Sequence, residues 1–166
     1  TASGLRYSPQ ADAPATADCP LTHVLRVQGA PVKLSSSFLA TCPVAVAFAL
    51  FERHGLQPAA QRVFGQAVVQ VDHLGSYACR NIYNRAEGRR SQHALANALD
   101  IAGFRLQDGQ RIELQRDWSG EGPKARFLHE VQQAACESFD TVLGPDYNAA
   151  HRNHFHLDMG GWQICR

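Results

Sequence analysis

The sequence is short of one-sided charge: sixteen lysines and arginines stand against fifteen aspartates and glutamates, a formal charge of +1 over 166 residues. So even a balance leaves no electrostatic footprint for nucleic acid or for an anionic membrane surface. Long apolar runs are missing too. The most apolar stretch, residues 44–51, is far shorter than the roughly 18 to 20 residues of a membrane span. No Cys-x-x-Cys pair occurs among Cys19, Cys42, Cys79, Cys136 and Cys165, which excludes that compact zinc or redox motif. There is no internal repeat and no low-complexity tract, so an array or a biased disordered chain is excluded as well. The sequence opens at Thr1 without a methionine or a basic-then-apolar stretch, and the expectation is a processed or trimmed N-terminus with any export signal outside these residues.

What is present suits one domain. At 166 residues and 45% hydrophobic content the chain can bury a single substantial core. Residues 1–20 hold three prolines and no periodicity, and read as an irregular arm ahead of a domain spanning 21–166. The scattered cysteines point to two disulfides and one unpaired thiol, hence to a periplasm or the cell exterior. The expected bridges are Cys136–Cys165, tying a late helix to the C-terminus, and Cys19–Cys42, with Cys79 left free. Five reduced thiols in a cytosolic protein are the alternative, which a thiol count separates. A monomer is the default.

Periodicity places the elements. Residues 43–54 form an apolar helix that ends at Gly55 as a glycine C-cap, and a short helix follows Pro58 to Phe64. Residues 67–71 read as a strand, and Gly75 opens an arginine-rich loop to Arg90. Residues 98–106 and 111–114 are strands flanking the turn pair Asp108-Gly109. Phe127, Val131, Ala134 and Ala135 recur at helical spacing within 124–139, and 154–159 alternates as a short strand. The sum is an α+β fold: a small antiparallel sheet that carries the functional site, flanked by helices.

Four of the eight histidines fall in two short segments, Ser91-Gln92-His93 to Asp100 and His151-Arg152-Asn153-His154-Phe155-His156. On a strand His154 and His156 project to one face while Phe155 turns to the other. Imidazoles plus a carboxylate are the donors that zinc prefers, and a catalytic zinc uses three of them and keeps one position open. Four histidines and an aspartate exceed that need, which leaves a surplus for catalysis. His93 and Asp100 are seven apart and would face opposite ways on a straight strand, so the chain must turn through residues 94–97 if both bind one metal. Alone, a His-x-His pair is more often a surface feature than a metal site; the joint pattern is the specific signal. His23, His54, His73 and His129 stand alone and read as surface or core histidines. Arg85, Arg89 and Arg90 read as a solvated loop, and Trp118 and Tyr147 as core or cleft lining.

Ser-x-His, six residues, Asp, then a distant His-x-His resembles the pattern of the lysostaphin and D-alanyl-D-alanine metallopeptidase superfamily. Gly75-Ser76-Tyr77-Ala78-Cys79-Arg80, the segment 91–101, Val142-Leu143-Gly144-Pro145-Asp146-Tyr147 and the closing Cys165-Arg166 resemble the bacterial extensin-like C-terminal domain family. The superfamily resemblance implies Zn2+ held by His93, Asp100 and His156. It makes His154 a catalytic helper and His151, by the three-then-two histidine spacing of murein endopeptidases, the general base. Arg80 resembles an arginine in the substrate-binding segments of related carboxypeptidases and is assigned with Ser91 to substrate binding, Ser91 by way of capping the turn or bonding a ligand. Relatives usually carry glycine where this chain has Ala96, and often glutamate where it has Gln92; alanine adopts a positive φ less cheaply.

The implied activity is a zinc-dependent peptidase acting on peptidoglycan stem peptides or cross-links, as an endopeptidase or a carboxypeptidase. A peptidoglycan-binding module that retains a structural zinc is the competing reading. It needs a fourth protein ligand and no base.

Overall fold

Residue alternation and a few close backbone approaches build two sheets, seen in a computed structural model that describes residues 4–13 and 18–166. Residues 1–3 and 14–17 of the expected arm lie outside the described residues. Within that arm, Arg6–Pro9 is not irregular but forms strand β1, which pairs antiparallel with β2 (Val24–Gly29). The short β3 (Lys33–Leu34) and then β4 (Phe38–Thr41) follow, and β4 completes a three-stranded antiparallel sheet in the order β1-β2-β4.

Helix α1 (Cys42–Phe51) starts with Pro43 in its first turn, where the missing N–H costs nothing. It does not stop at Gly55 as expected. A π-turn, Glu52–Leu56, carries it into α2 (Gln57–Phe64), which ends on Gly65 at φ 65. Gly55 has another duty: a Cβ there would lie 2.8 Å from the Ala134 Cβ, so the glycine admits a neighbouring helix rather than capping its own.

The second sheet holds the site. Strand β5 (Val68–Gly75) runs four residues past the expected end and pairs antiparallel with β6 (Ala98–Leu106). Along the opposite edge of β6, its first half meets β9 (Phe155–Asp158) and its second half meets β7 (Arg111–Glu113). Gly103 allows the latter, because a Cβ at that point would stand 2.5 Å from the Ile112 carbonyl oxygen. Strands β8 (Thr141–Leu143) and β10 (Ile164–Cys165) extend the order to β10-β8-β9-β6-β5-β3. The α+β expectation holds, but the sheet is larger than expected and mixed: β3 lies parallel to β5, and β10 to β8.

The short α3 (Leu114–Asp117) leads to α4 (Pro123–Cys136), which lays Phe127, Leu128 and Val131 on the sheet. Phe127 meets Phe104 edge-on at 5.5 Å, and Phe155 meets Trp118 at 5.7 Å. These rings and Phe48 and Phe51 are buried in one core, each worth about 1.5–3 kcal/mol of transfer free energy.

Two disulfides clamp the periphery. Cys136 at the end of α4 joins Cys165 in β10, with their Cα atoms 5.7 Å apart. Cys19 joins Cys79, not Cys42, at a Cα separation of 5.6 Å. The Tyr77 hydroxyl donates to the Cys19 carbonyl at 3.2 Å and brings the two segments together. Cys42 opens α1 with its thiol exposed, and it is the free cysteine. Among the described residues no helix is long and apolar enough to cross a membrane.

Candidate metal centre

Strand register sets the first two members of the cluster. Asp100 on β6 pairs directly with His156 on β9, so both side chains leave the sheet on one face. Their neighbours Leu99, Ile101, Phe155 and Leu157 go into the core. His93 arrives from a 3-10 turn, Gln92–Leu95, just ahead of β6. Ser91 caps that turn, its hydroxyl accepting the His93 N–H at 3.2 Å. The required reversal falls on Ala96, which takes a left-handed conformation at φ 53 and ψ 29. For an L-residue that costs about 1–2 kcal/mol. Several bonds hold it: Thr41 N–H donates to the Ala96 carbonyl at 3.0 Å, Met159 N–H to the Asn97 carbonyl at 3.2 Å, and Asn97 Nδ2 to Gln92 Oε1 at 2.9 Å.

The donor atoms meet as a triangle. His93 Nε2, Asp100 Oδ1 and His156 Nδ1 are each 3.1 Å from the other two. Such a triangle has its centre about 1.8 Å from each corner, a size that metal–ligand bonds of about 2.0–2.2 Å could span. The outward ring nitrogens are already committed. His93 Nδ1 lies 2.9 Å from the Ser76 carbonyl oxygen, an obligate acceptor, and His156 Nε2 lies 2.8 Å from Asp158 Oδ2. Both rings therefore donate outward, so that each, when neutral, has its lone pair facing inward beside a carboxylate oxygen. Three acceptors converging on one point need a cation there, and this donor set fits a metal ion. Without one, a proton serves. Burial alone would depress His156, but its bonds to Asp100 and Asp158 outweigh that and push it up to about 9. Asp100 is held well below the usual carboxylate range: burial opposes this, and the His156 and His93 hydrogen bonds overcome it.

A cleft of about 430 Å³ contains the cluster and is also lined by Arg80, Tyr83, Tyr147, His151 and His154. His151 is buried at the end of a 3-10 turn, Ala149–His151, its ring 5.1 Å from that of His154 and 5.5 Å from Tyr147. Burial, followed by the charges of His154 and His156, pushes it down to about 4, so it is neutral at pH 7. Burial also pushes His154 down, against the pull of Asp100, whose Oδ2 is 3.7 Å from its Nε2. Neither ring belongs to the donor triangle.

Arg80 is half-buried on the cleft wall, with one bond of 3.5 Å to the Asn81 carbonyl and no ion pair among the described residues. Ser91 also lines the cleft, its hydroxyl accepting the cap bond and keeping its own hydrogen to donate. Tyr147 lines the cleft, whereas Trp118 is buried and donates to Asp146 Oδ1 at 2.9 Å. His23, His54, His73 and His129 are not among the cleft residues, and His73 bonds the Ser36 carbonyl at 2.8 Å. Sequence reasoning missed Ser76, Asp158, Asn148 and Tyr83. Asp158 had a signal: two residues beyond His156 on a strand, it shares that face.

In comparison with protein families, the model described as extensin-like protein C-terminus matches residues 1–166. No curated protein and no solved structure matches.

Proposed function

The chain belongs to the extensin-like protein C-terminus family, and from that premise we propose that it is a zinc-dependent peptidase of the lysostaphin and D-alanyl-D-alanine metallopeptidase type, acting on peptidoglycan stem peptides or cross-links. The observation that carries this reading is the convergence of His93 Nε2, Asp100 Oδ1 and His156 Nδ1, each 3.1 Å from the other two, in a cleft beside two histidines that are not part of the triangle. Three donors match the open set of a catalytic zinc, whereas a structural zinc is closed by four. That favours an enzyme over a binding module.

His93, Asp100 and His156 would hold the ion, and zinc there would supply Lewis-acid polarisation of a carbonyl and a lowered pKa for water. His151, neutral at pH 7, takes the proton from the attacking water and returns it to the leaving amine nitrogen. His154 donates a hydrogen bond to the oxyanion, a contribution of about 3 kcal/mol. Arg80 grips a substrate carboxylate with its guanidinium. The two disulfides suit an oxidising compartment, the periplasm or the exterior, where such a substrate lies.

The test is digestion of purified sacculi with zinc-loaded protein, followed by mass analysis of the released muropeptides. New termini at peptide bonds, abolished by chelation and restored by zinc, are expected. Sacculi that bind the protein and release nothing would favour the binding module.

A further inference from the structure

His151 has a partner of its own outside the metal cluster. Asn148 is the N-cap of the Ala149–His151 turn, and its Oδ1 accepts the Ala150 N–H at 3.0 Å. A backbone N–H can only donate, so the atom facing it is the amide oxygen, which removes the usual ambiguity of an asparagine side chain. That same Oδ1 lies 2.7 Å from His151 Nδ1. In the neutral ring Nδ1 must then carry the hydrogen, and the lone pair is left on Nε2.

The amide nitrogen is tied down as well. Asn148 Nδ2 donates to the Tyr83 hydroxyl at 2.9 Å, and Tyr83 stands on the loop across the cleft. Tyr83 and its neighbour Asn84 both sit at φ 55, a conformation that non-glycine residues hold only when their surroundings impose it. The loop is closed by Ile82 N–H donating to the Arg89 carbonyl at 3.0 Å and Ser91 N–H to the Arg80 carbonyl at 3.1 Å. Both ends of the Asn148 amide are thereby fixed, one by the turn and one by the loop.

We propose that Asn148 is a positioning residue: it locks His151 in the Nδ1–H tautomer, so that Nε2 is the atom that accepts the proton of the attacking water, and Tyr83 holds the Asn148 amide in register for that task. This rests on the assignment of His151 as the base. Its chemistry resembles the third member of a nucleophile–base–orienter set, with a neutral amide in place of a carboxylate.

The tautomer can be read without any activity, from the ring 15N shifts of His151 in metal-free protein at pH 7, identified by their loss in His151→Gln. The wild type is expected to show Nδ1–H, and Asn148→Ala to lose that preference. Asn148→Asp keeps both the cap and the acceptor and should retain Nδ1–H, while Asn148→Ser keeps the cap but is too short to reach the ring and should behave like alanine. In muropeptide release, Asn148→Ala and Asn148→Ser should lower kcat about 10- to 100-fold with KM little changed, and Asn148→Asp should recover most of it. An unaltered tautomer in Asn148→Ala overturns the proposal, and so does serine restoring the turnover as well as aspartate, which would mark Asn148 as a cap and nothing more. Should the wild type release no muropeptides, the peptidase reading fails while the 15N shifts still decide the role of Asn148.

Discussion

The carboxylate of Asp158 stands 2.8 Å behind His156, outside the donor triangle, and accepts the outward Nε2–H of the ring. Removing it as Asp158→Ala should weaken metal binding about 10- to 100-fold with the fold intact, measured by competition against a chromophoric chelator. An affinity equal to wild type would mean that the ring is oriented by packing alone. Ala96 poses a different question, because the left-handed conformation is strained and its methyl is fully buried. In Ala96→Gly, relief of about 1–2 kcal/mol of strain is offset in part by the loss of a buried methyl of about 0.8 kcal/mol. Stability in urea should therefore stay within about 1 kcal/mol of wild type, and a larger loss would show that the methyl packs the turn. Position 96 was singled out by resemblance, because relatives usually carry glycine there, which takes a positive φ more cheaply than alanine. The backbone bonds from Thr41 and Met159 that hold it come from remote segments and have no local signature.

Elements with local signals were legible. β6 spans Ala98–Leu106 as its pattern and the Asp108-Gly109 turn implied, β9 falls within one residue of its expected ends, and α4 starts one residue early and stops three residues short of 139. Elements defined by distant partners were not. β1, β2 and β4 are short, and none alternates long enough to announce itself before pairing; β8 and β10 have two or three residues each. Gly55 misled for a physical reason: a glycine at a helix end and a glycine at a helix crossing look alike in one dimension. Gly55→Ala tests the distinction, since a methyl 2.8 Å from the Ala134 Cβ should overpack the contact with α4 and cost about 1–3 kcal/mol in denaturant unfolding. A stabilised variant would show that the contact yields and that only helix propensity acts at this position. At the start of α3, Asp117 accepts the Glu113 N–H at 2.9 Å and the Arg116 guanidinium at 2.8 Å. Burial would raise its pKa, but these bonds prevail and lower it. A carboxyl depressed on folding adds stability above its unfolded value of about 3.9 and loses it as the pH falls through the folded value. Asp117→Asn should thus be less stable at pH 7 by under about 1 kcal/mol, given solvent screening, with the gap closing toward pH 2; urea midpoints at both pH values check this.

For the whole molecule, the bridges join what the sheets leave loose: Cys19–Cys79 ties the N-terminal segment to the loop that carries Arg80, and Cys136–Cys165 ties α4 to the last strand. In the chain-entropy account the first, closing a loop of 60 residues, is worth about 4 kcal/mol. The count of two bridges was readable from scattered cysteines, but the Cys19 partner was not, because Cys42 is nearer in sequence while Cys79 is nearer in space. Denatured, unreduced protein should titrate one thiol, assigned to Cys42 by alkylation and peptide mapping. The most direct test of the central claim pairs two readings on the same samples, metal content per chain and rate of muropeptide release, for wild type, His156→Ala and His151→Ala. The account predicts that His156→Ala loses both, whereas His151→Ala keeps its zinc while release falls about 100-fold or more. A His151→Ala protein that retains zinc and full release, or that loses zinc as completely as His156→Ala, would contradict it.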